Sequence, residues 1–448
     1  MKKISGFLTA VAVEVVAAVS GIGAQAQERQ APWSLRDCIE YALEHNISVR
    51  QQDIAVAQRE IDLNTAENSR LPGVSGSMSE NFSFGRGLTA DNTYDNSNTT
   101  STGFSLGADV PVFQGFRIRH NIALQKLNLA SASADLDRIK DNISVQVAQA
   151  YVQILYNMEI LEVARNQVGI DSLQVDRLTA MLDNGKASAA QVAQQKASLS
   201  QSRYSQTMAR NNLNMSILEL TQLLELPSPE GFSVVRPSAG SLQPGILDTP
   251  ESIYAAAVEI KPSVQAEVAR LDVAKTQIDL AKSYRLPSIS LSGGIGSNYY
   301  TSSRYSSASF SQQMKNNFSQ FLGLSMSVPI FSRFSTRNSI RSSQLSFRNQ
   351  ELQLENARKS LYKEIQQAYA NAVASQAKYL SSMEASASAR ESFDLVQARY
   401  ETGKANITEF NEARGTMVKS LSDLAQAQYE YYFNSKILDF YKGRPLFM

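Results

Sequence analysis

The chain writes one strand-to-helix junction twice. DVPVFQGF at 109–116 and SVPIFSRF at 327–334 both place a proline after an apolar, strand-like run, and both close on two phenylalanines. Pro111 and Pro329 are 218 residues apart, and the same interval separates Tyr151 from Tyr369 and Gly185 from Gly403. Upstream, SRLPGVSGS (69–77) matches YRLPSISLS (284–292), and ALEHNISV (42–49) matches AVEIKPSV (257–264), at an interval three residues shorter. A repeat on this scale commits both halves of the chain to the same supersecondary unit. The second copy carries its extra residues between the two prolines of each half, so that segment tolerates insertion as exposed loops do.

Each half has one internal order. A helical stretch (about 34–70, then 250–285) ends at Arg-Leu-Pro. Proline stops it, because it lacks the N–H and pushes the preceding residue out of α geometry. A Ser/Gly/aromatic segment of period two follows. Phe104, Leu106, Ala108 and Val110 alternate with Ser105, Gly107 and Asp109; Leu322, Leu324, Met326, Val328 and Ile330 alternate with Gly323, Ser325 and Ser327. Side chains of a strand alternate faces, so one face is greasy and the other small and polar. Partner strands are expected near 74–85 and 288–297, and the polar tracts 87–102 and 297–317 read as long hairpin loops.

Next comes a proline-free run over 116–183, in which Ile143, Val147, Tyr151, Ile154, Leu155, Met158 and Leu161 follow the spacing of one helix face. Such a helix would be ~100 Å long, which points to a coiled coil. Gly185 breaks it, and a return helix (186–225) ends before Pro227. The second copy repeats this at 334–402, Gly403 and 404–441. The domain reading is therefore an export signal at 1–26, a first repeat at 27–226, a connector at 227–249, a second repeat at 250–441 and a tail at 442–448. The signal rests on Lys2 and Lys3, the apolar run Ile4 to Ile22 and the small-x-small site Ala24-Gln25-Ala26.

Composition narrows the function. With 43 Lys+Arg against 42 Asp+Glu there is no basic surplus to favour nucleic acid. One cysteine allows no internal disulfide, and 2 histidines with that cysteine make a His/Cys metal cluster untenable. No cofactor is expected. The fragments SGGIGSN, GKAS and SLYK lack the companion residues of a phosphate loop or a serine–lysine pair, so no enzyme is expected either. After residue 26 no stretch approaches the ~20 apolar residues of a spanning helix. Four strands of about 10 residues with one greasy face instead match transmembrane β-strands. Four cannot close a barrel, and an open edge in lipid strands backbone groups at several kcal/mol each. Closure must come from other copies of the chain. Pro111, Phe113, Pro329 and Phe331 would then mark where strand leaves lipid, with the phenylalanines at the interface. The competing reading is an exported coiled-coil scaffold or adhesin without a pore.

The duplicated Arg-Leu-Pro, Val-Pro-(Val/Ile)-Phe and Gly-Lys-Ala segments, in helix–hairpin–long helix order, resemble the TolC-type outer-membrane efflux proteins. The resemblance implies an α+β membrane protein: a homotrimer with a twelve-stranded outer-membrane barrel, continued by a periplasmic tunnel of α-helical coiled-coil hairpins. It implies the exit duct of a tripartite efflux or type I secretion system, docked to a periplasmic adaptor and powered by an inner-membrane transporter. By the same resemblance Gly185, Lys186, Gly403 and Lys404 fall at the adaptor-docking tips, and Glu409 and Glu412 at an acidic pore gate. The family's gate lock joins a tyrosine and an arginine to an aspartate on the neighbouring hairpin. Tyr400 matches the tyrosine, Ala405 stands at the arginine position and Gln191 at the aspartate position, so Tyr400 and Gln191 are the lock candidates here.

Overall fold

The computed structural model describes residues 32–88, 92–236, 245, 247–303 and 306–446. The expected export signal lies outside them. Elements of the two halves recur in the same order and nearly the same lengths. The first half runs α1 (Leu35–His45), α2 (Ile47–Asn68), β1 (Gly73–Ser83), a small hairpin β2 (Arg86–Leu88) and β3 (Tyr94–Asn96), β4 (Thr99–Gln114), α3 (Arg117–Asp183) and α4 (Ala189–Leu223). The second runs α5 (Pro250–Ile260), α6 (Pro262–Ser283), β5 (Ser288–Ser302), α7 (Phe310–Asn316), β6 (Ser319–Ser327), α8 (Ser335–Glu401) and α9 (Ile407–Tyr441). The long helices α3 and α8 have 67 residues each and the return helices α4 and α9 have 35 each.

Three details differ from the sequence expectation. The helix before each Arg-Leu-Pro is two helices. Asn46 leaves α geometry at ψ 130°, its side-chain oxygen accepting from the Ser48 N–H, and Lys261 does the same at ψ 124° because Pro262 follows it. The polar tracts are not open loops: 99–102 already belongs to β4, β5 runs on to Ser302, and α7 fills part of the rest. Finally, Pro111 lies inside β4 rather than at its end. The ladder to β5 shifts between Pro111 and Phe113, a bulge that accommodates the missing N–H, and the strand continues to Gln114. Pro329 does follow the end of β6.

The described residues divide into two compact units. One comprises the chain up to Asp53, Leu136–Pro262 and the chain from Arg358; the other comprises Ile54–Asp135 and Ser263–Ala357. The second unit holds the sheet, ordered β1-β4-β5-β6 and antiparallel throughout. Its central pair joins the halves, with Leu106 opposite Ile295 and Gly107 opposite Gly294. That register places Met78, Phe104, Ile295 and Leu322 on the same face as Val74, Leu106, Leu291 and Leu324, and the serines and glycines between them on the other.

Each junction below the sheet turns through two consecutive left-handed residues, Gly115 and Phe116 in the first copy, Arg333 and Phe334 in the second. The aromatic pairs recur too: Phe113 meets Phe116 edge-on at 5.2 Å, and Phe331 meets Phe334 edge-on at 5.6 Å. Gly115 is forced where Arg333 is not, because a Cβ there would come within 2.7 Å of the Ser283 carbonyl oxygen.

The core of the first unit centres on Tyr151, Ile154 and Leu155 of α3, all almost fully buried. The Tyr151 hydroxyl lies within hydrogen-bonding reach of the carbonyl oxygens of Val235 (2.7 Å) and Trp33 (3.1 Å), tying α3 to the short parallel bridge Trp33–Val234. At the α5–α6 break, burial pushes the Lys261 ammonium below its ordinary value, while Asp141 at 3.0 Å and the Phe440 ring at 3.4 Å retain its charge.

Candidate functional site

The two helical tips are built alike. Gly185 adopts φ +69° and Gly403 φ +74°, the left-handed geometry that ends a helix. The Gly185 N–H donates to Leu182 O and the Lys186 N–H to Met181 O; Gly403 and Lys404 repeat this with Tyr400 O and Arg399 O. These paired bonds satisfy the last carbonyls of α3 and α8. Each return helix is then capped: Ser188 and Gln191 form a reciprocal capping box, and Asn406 accepts from the Glu409 N–H at 2.9 Å while its amide donates to the Glu409 carboxylate at 2.8 Å. Lys186 and Lys404 stand exposed at the tips.

On α9, residues 410, 414 and 417 turn inward and 409 and 412 outward, as a period of 3.6 dictates. Phe410 packs with Phe393 and Met417, and Tyr400 stacks on Phe410 at 4.8 Å. Arg177 of α3 lies over the Tyr400 ring at 5.6 Å and donates to the Glu401 carbonyl. Burial raises the Tyr400 hydroxyl above its ordinary pKa, and Arg177 partly opposes that. Glu409 sits 4.0 Å from Arg399, and Glu412 is exposed.

The structure does not bring the two lock candidates together within a subunit. Gln191 is taken up by the Ser188 cap and Tyr400 by Phe410 and Arg177; among the described residues no hydrogen bond joins them. A connection of another kind lies deeper in the same unit. Asp171 of α3 is fully buried and accepts from Gln195 (2.9 Å) and Ser202 of α4, from Gln167 (2.9 Å) and from Arg414 of α9, itself buried. One carboxylate thus joins helices of both halves. No spacing rule connects residues so far apart in sequence. The one signal available was polar: Gln167, Asp171 and Gln174 fall at i, i+4 and i+7, on a helix face that should be apolar.

The sheet, in the other unit, is a separate candidate surface. Among the described residues its edges β1 and β6 each lack a strand partner on one side, and much of the greasy face is bare: Leu322 is 79% exposed, and Leu324, Met326, Val74 and Met78 are exposed as well. Apolar residues also stand exposed at heptad spacing on two helices, Ile47, Ile54 and Ile61 on α2, and Leu345, Leu352, Val373 and Leu380 on α8. A seven-residue seam wants a second helix against it. Among the described residues no helix is long and apolar enough to cross a membrane.

A family model described as outer membrane efflux protein matches residues 38–225 and 253–444, one segment in each half. The chain belongs to the outer membrane efflux protein family. The outer membrane protein TolC of Escherichia coli (strain K12) is 26% identical over 361 residues, covering 78% of this chain and 72% of TolC. The efflux protein BepC of Brucella suis biovar 1 is 21% identical over 390 residues, 87% of this chain and 80% of BepC. Among solved structures, the open-state outer membrane channel MtrE of Neisseria gonorrhoeae superposes with a TM-score of 0.73 at 18% identity, covering 91% of this chain and 88% of MtrE.

Family membership and the sheet close one question together. The barrel assembly is a trimer: three copies of the four-stranded sheet supply twelve strands. This efflux protein is an outer-membrane channel with a helical tunnel, the exit duct of a tripartite efflux system in a Gram-negative bacterium. Nothing favours the pore-free scaffold or adhesin. Its family is one of channels.

Proposed function

We propose that this chain is a passive duct closed at the tips of its helical hairpins, with Glu409 and Glu412 lining the closed aperture. Around a threefold axis they would form a ring of six carboxylates, which concentrates cations and slows anions. Gly185, Lys186, Gly403 and Lys404 form the surface that meets a periplasmic adaptor, whose inner-membrane transporter supplies the energy. The Arg414–Asp171 pair holds α9 against α3 and replaces the tyrosine–aspartate lock whose partners Tyr400 and Gln191 do not meet inside a subunit. The expected repeat boundaries at 27–226 and 250–441 belong to the same reading. Its main support is the split on α9: Phe410, Arg414 and Met417 are buried, and Glu409 and Glu412 stand exposed.

The test is single-channel recording in planar bilayers under a salt gradient. Replacing Glu409 and Glu412 together by glutamine should shift the reversal potential toward zero and weaken block by trivalent cations. A reversal potential unchanged by the double substitution would place the carboxylates outside the conduction path.

A further inference from the structure

The exposed ends of β5 and β6 are unequal. β6 pairs with β5 only as far as Gly296 opposite Ser319, leaving the last turns of β5 without a strand on that side. Helix α7 takes its place. The Gln313 amide accepts from the Tyr300 N–H and donates to the Tyr300 carbonyl, both at 2.9 Å. Asn317 donates to the Asn298 carbonyl at 2.7 Å, and the Ser297 hydroxyl to the Met314 carbonyl at 2.8 Å. Phe310 completes the anchorage edge-on against Phe104 and Tyr299. Side-chain amides thus do for β5 what a neighbouring strand would do.

So fixed, α7 overhangs the greasy face of the sheet and bounds an open recess of about 500 Å³. Met78, Phe104, Leu106 and Ile295 line it from the sheet, Met314 and Phe318 from α7 and its exit. The volume falls within the ~300–1,000 Å³ of small-molecule sites. Two features say what fills it. The recess is continuous with the face that a closed barrel presents to hydrocarbon, so its natural occupant is an alkyl chain. It also opens beside a polar pair on that face: beyond Met78 and Phe104 the next positions are Glu80 and Thr102, hydrogen-bonded to one another at 2.7 Å, before Phe82 follows. Lys315, next in the chain to the recess-lining Met314, is exposed in the last turn of α7. This end of the sheet is the one remote from the strand–helix junctions, hence the outer leaflet.

We propose that the recess under α7 seats one acyl chain of an outer-leaflet glycolipid of the lipid A type, with Lys315 pairing with its phosphate. The interaction is a specific one, distinct from the general lipid annulus. The trimer would carry three such sites.

The experiment is native mass spectrometry of the detergent-purified trimer titrated with lipid A, with phosphatidylglycerol of matched chain length as the second arm. Up to three lipid A molecules should bind ahead of the phospholipid. Gly76→Phe fills the recess: a Cβ there meets only Leu106 Cδ1 at 3.8 Å and a backbone oxygen at 4.0 Å, ordinary contacts. It should weaken lipid A binding at least about tenfold while leaving conductance intact. Lys315→Gln should lower affinity for diphosphorylated lipid A and not for its dephosphorylated form. Equal binding of both lipids, or full lipid A binding by a conducting Gly76→Phe trimer, would overturn the proposal. If Gly76→Phe fails to trimerise, the exposed Lys315→Gln variant decides: no difference between the two phosphorylation states would refute the assignment.

Discussion

Arg414 of α9 donates to the fully buried carboxylate of Asp171 in α3, across helices from the two halves of the chain. Removing one member of a buried pair leaves the other charged and unpaired, which costs about 3–5 kcal/mol. Arg414→Met should therefore destabilise the tip strongly and raise the open probability of the channel. Combining it with Asp171→Leu removes the stranded charge but leaves the Gln195, Ser202 and Gln167 donors without their acceptor, so it should recover only part of the stability and should not restore closure. Thermal unfolding and single-channel open probability, measured on both variants, check the two halves of that statement. An Arg414→Met channel that stays shut would remove the pair from the closing mechanism.

Cys38 is wholly buried, and burial together with Asp37 pushes its thiol up to about 12. Being the chain's one cysteine, it reports on the fold without background. At pH 8 a maleimide should leave the native protein unlabelled and label it stoichiometrically in denaturant. Rapid labelling of the native trimer would contradict the packing around Trp33 and Tyr151.

The duplicated junction predicts opposite outcomes at equivalent positions. Gly115→Ala must hold a Cβ against the Ser283 carbonyl at a positive φ, and should cost about 1–3 kcal/mol. Arg333→Gly relieves a left-handed non-glycine residue and should be neutral or mildly stabilising. Heat resistance of the trimer on gels compares the two directly.

Lys261 gives a pH signature. Its folded pKa is depressed, so in the window between that value and 10.5 the unfolded chain binds the extra proton and stability rises with pH. Lys261→Met should abolish this rise. Cys38, whose raised thiol pKa makes stability fall with pH over the same range, is common to both proteins, so the melting temperature of the wild type relative to Lys261→Met should rise between pH 8 and 11.

Much of this architecture was legible in the sequence, because repeats and periodicity are local signals read twice. Two copies of Val-Pro-(Val/Ile)-Phe located both junctions, and Gly-Lys-Ala both tips. Three features escaped for physical reasons. The break at Asn46 uses a side-chain turn with no proline to announce it; its counterpart carries Pro262, yet the expected helical stretch over 250–285 runs straight through it. Helix α7 is a polar heptapeptide whose stability comes from the β5 edge it covers, so propensity alone leaves it a loop. The Asp171 cluster joins residues in α3, α4 and α9, and only folding brings them together.

The central claim is that one chain supplies a third of a closed wall. Native mass spectrometry of the protein released gently from detergent micelles counts the chains in that wall. The account predicts a single dominant species of three copies that survives until the detergent is stripped. A stable monomer, with β1 and β6 satisfied inside one chain, would contradict it.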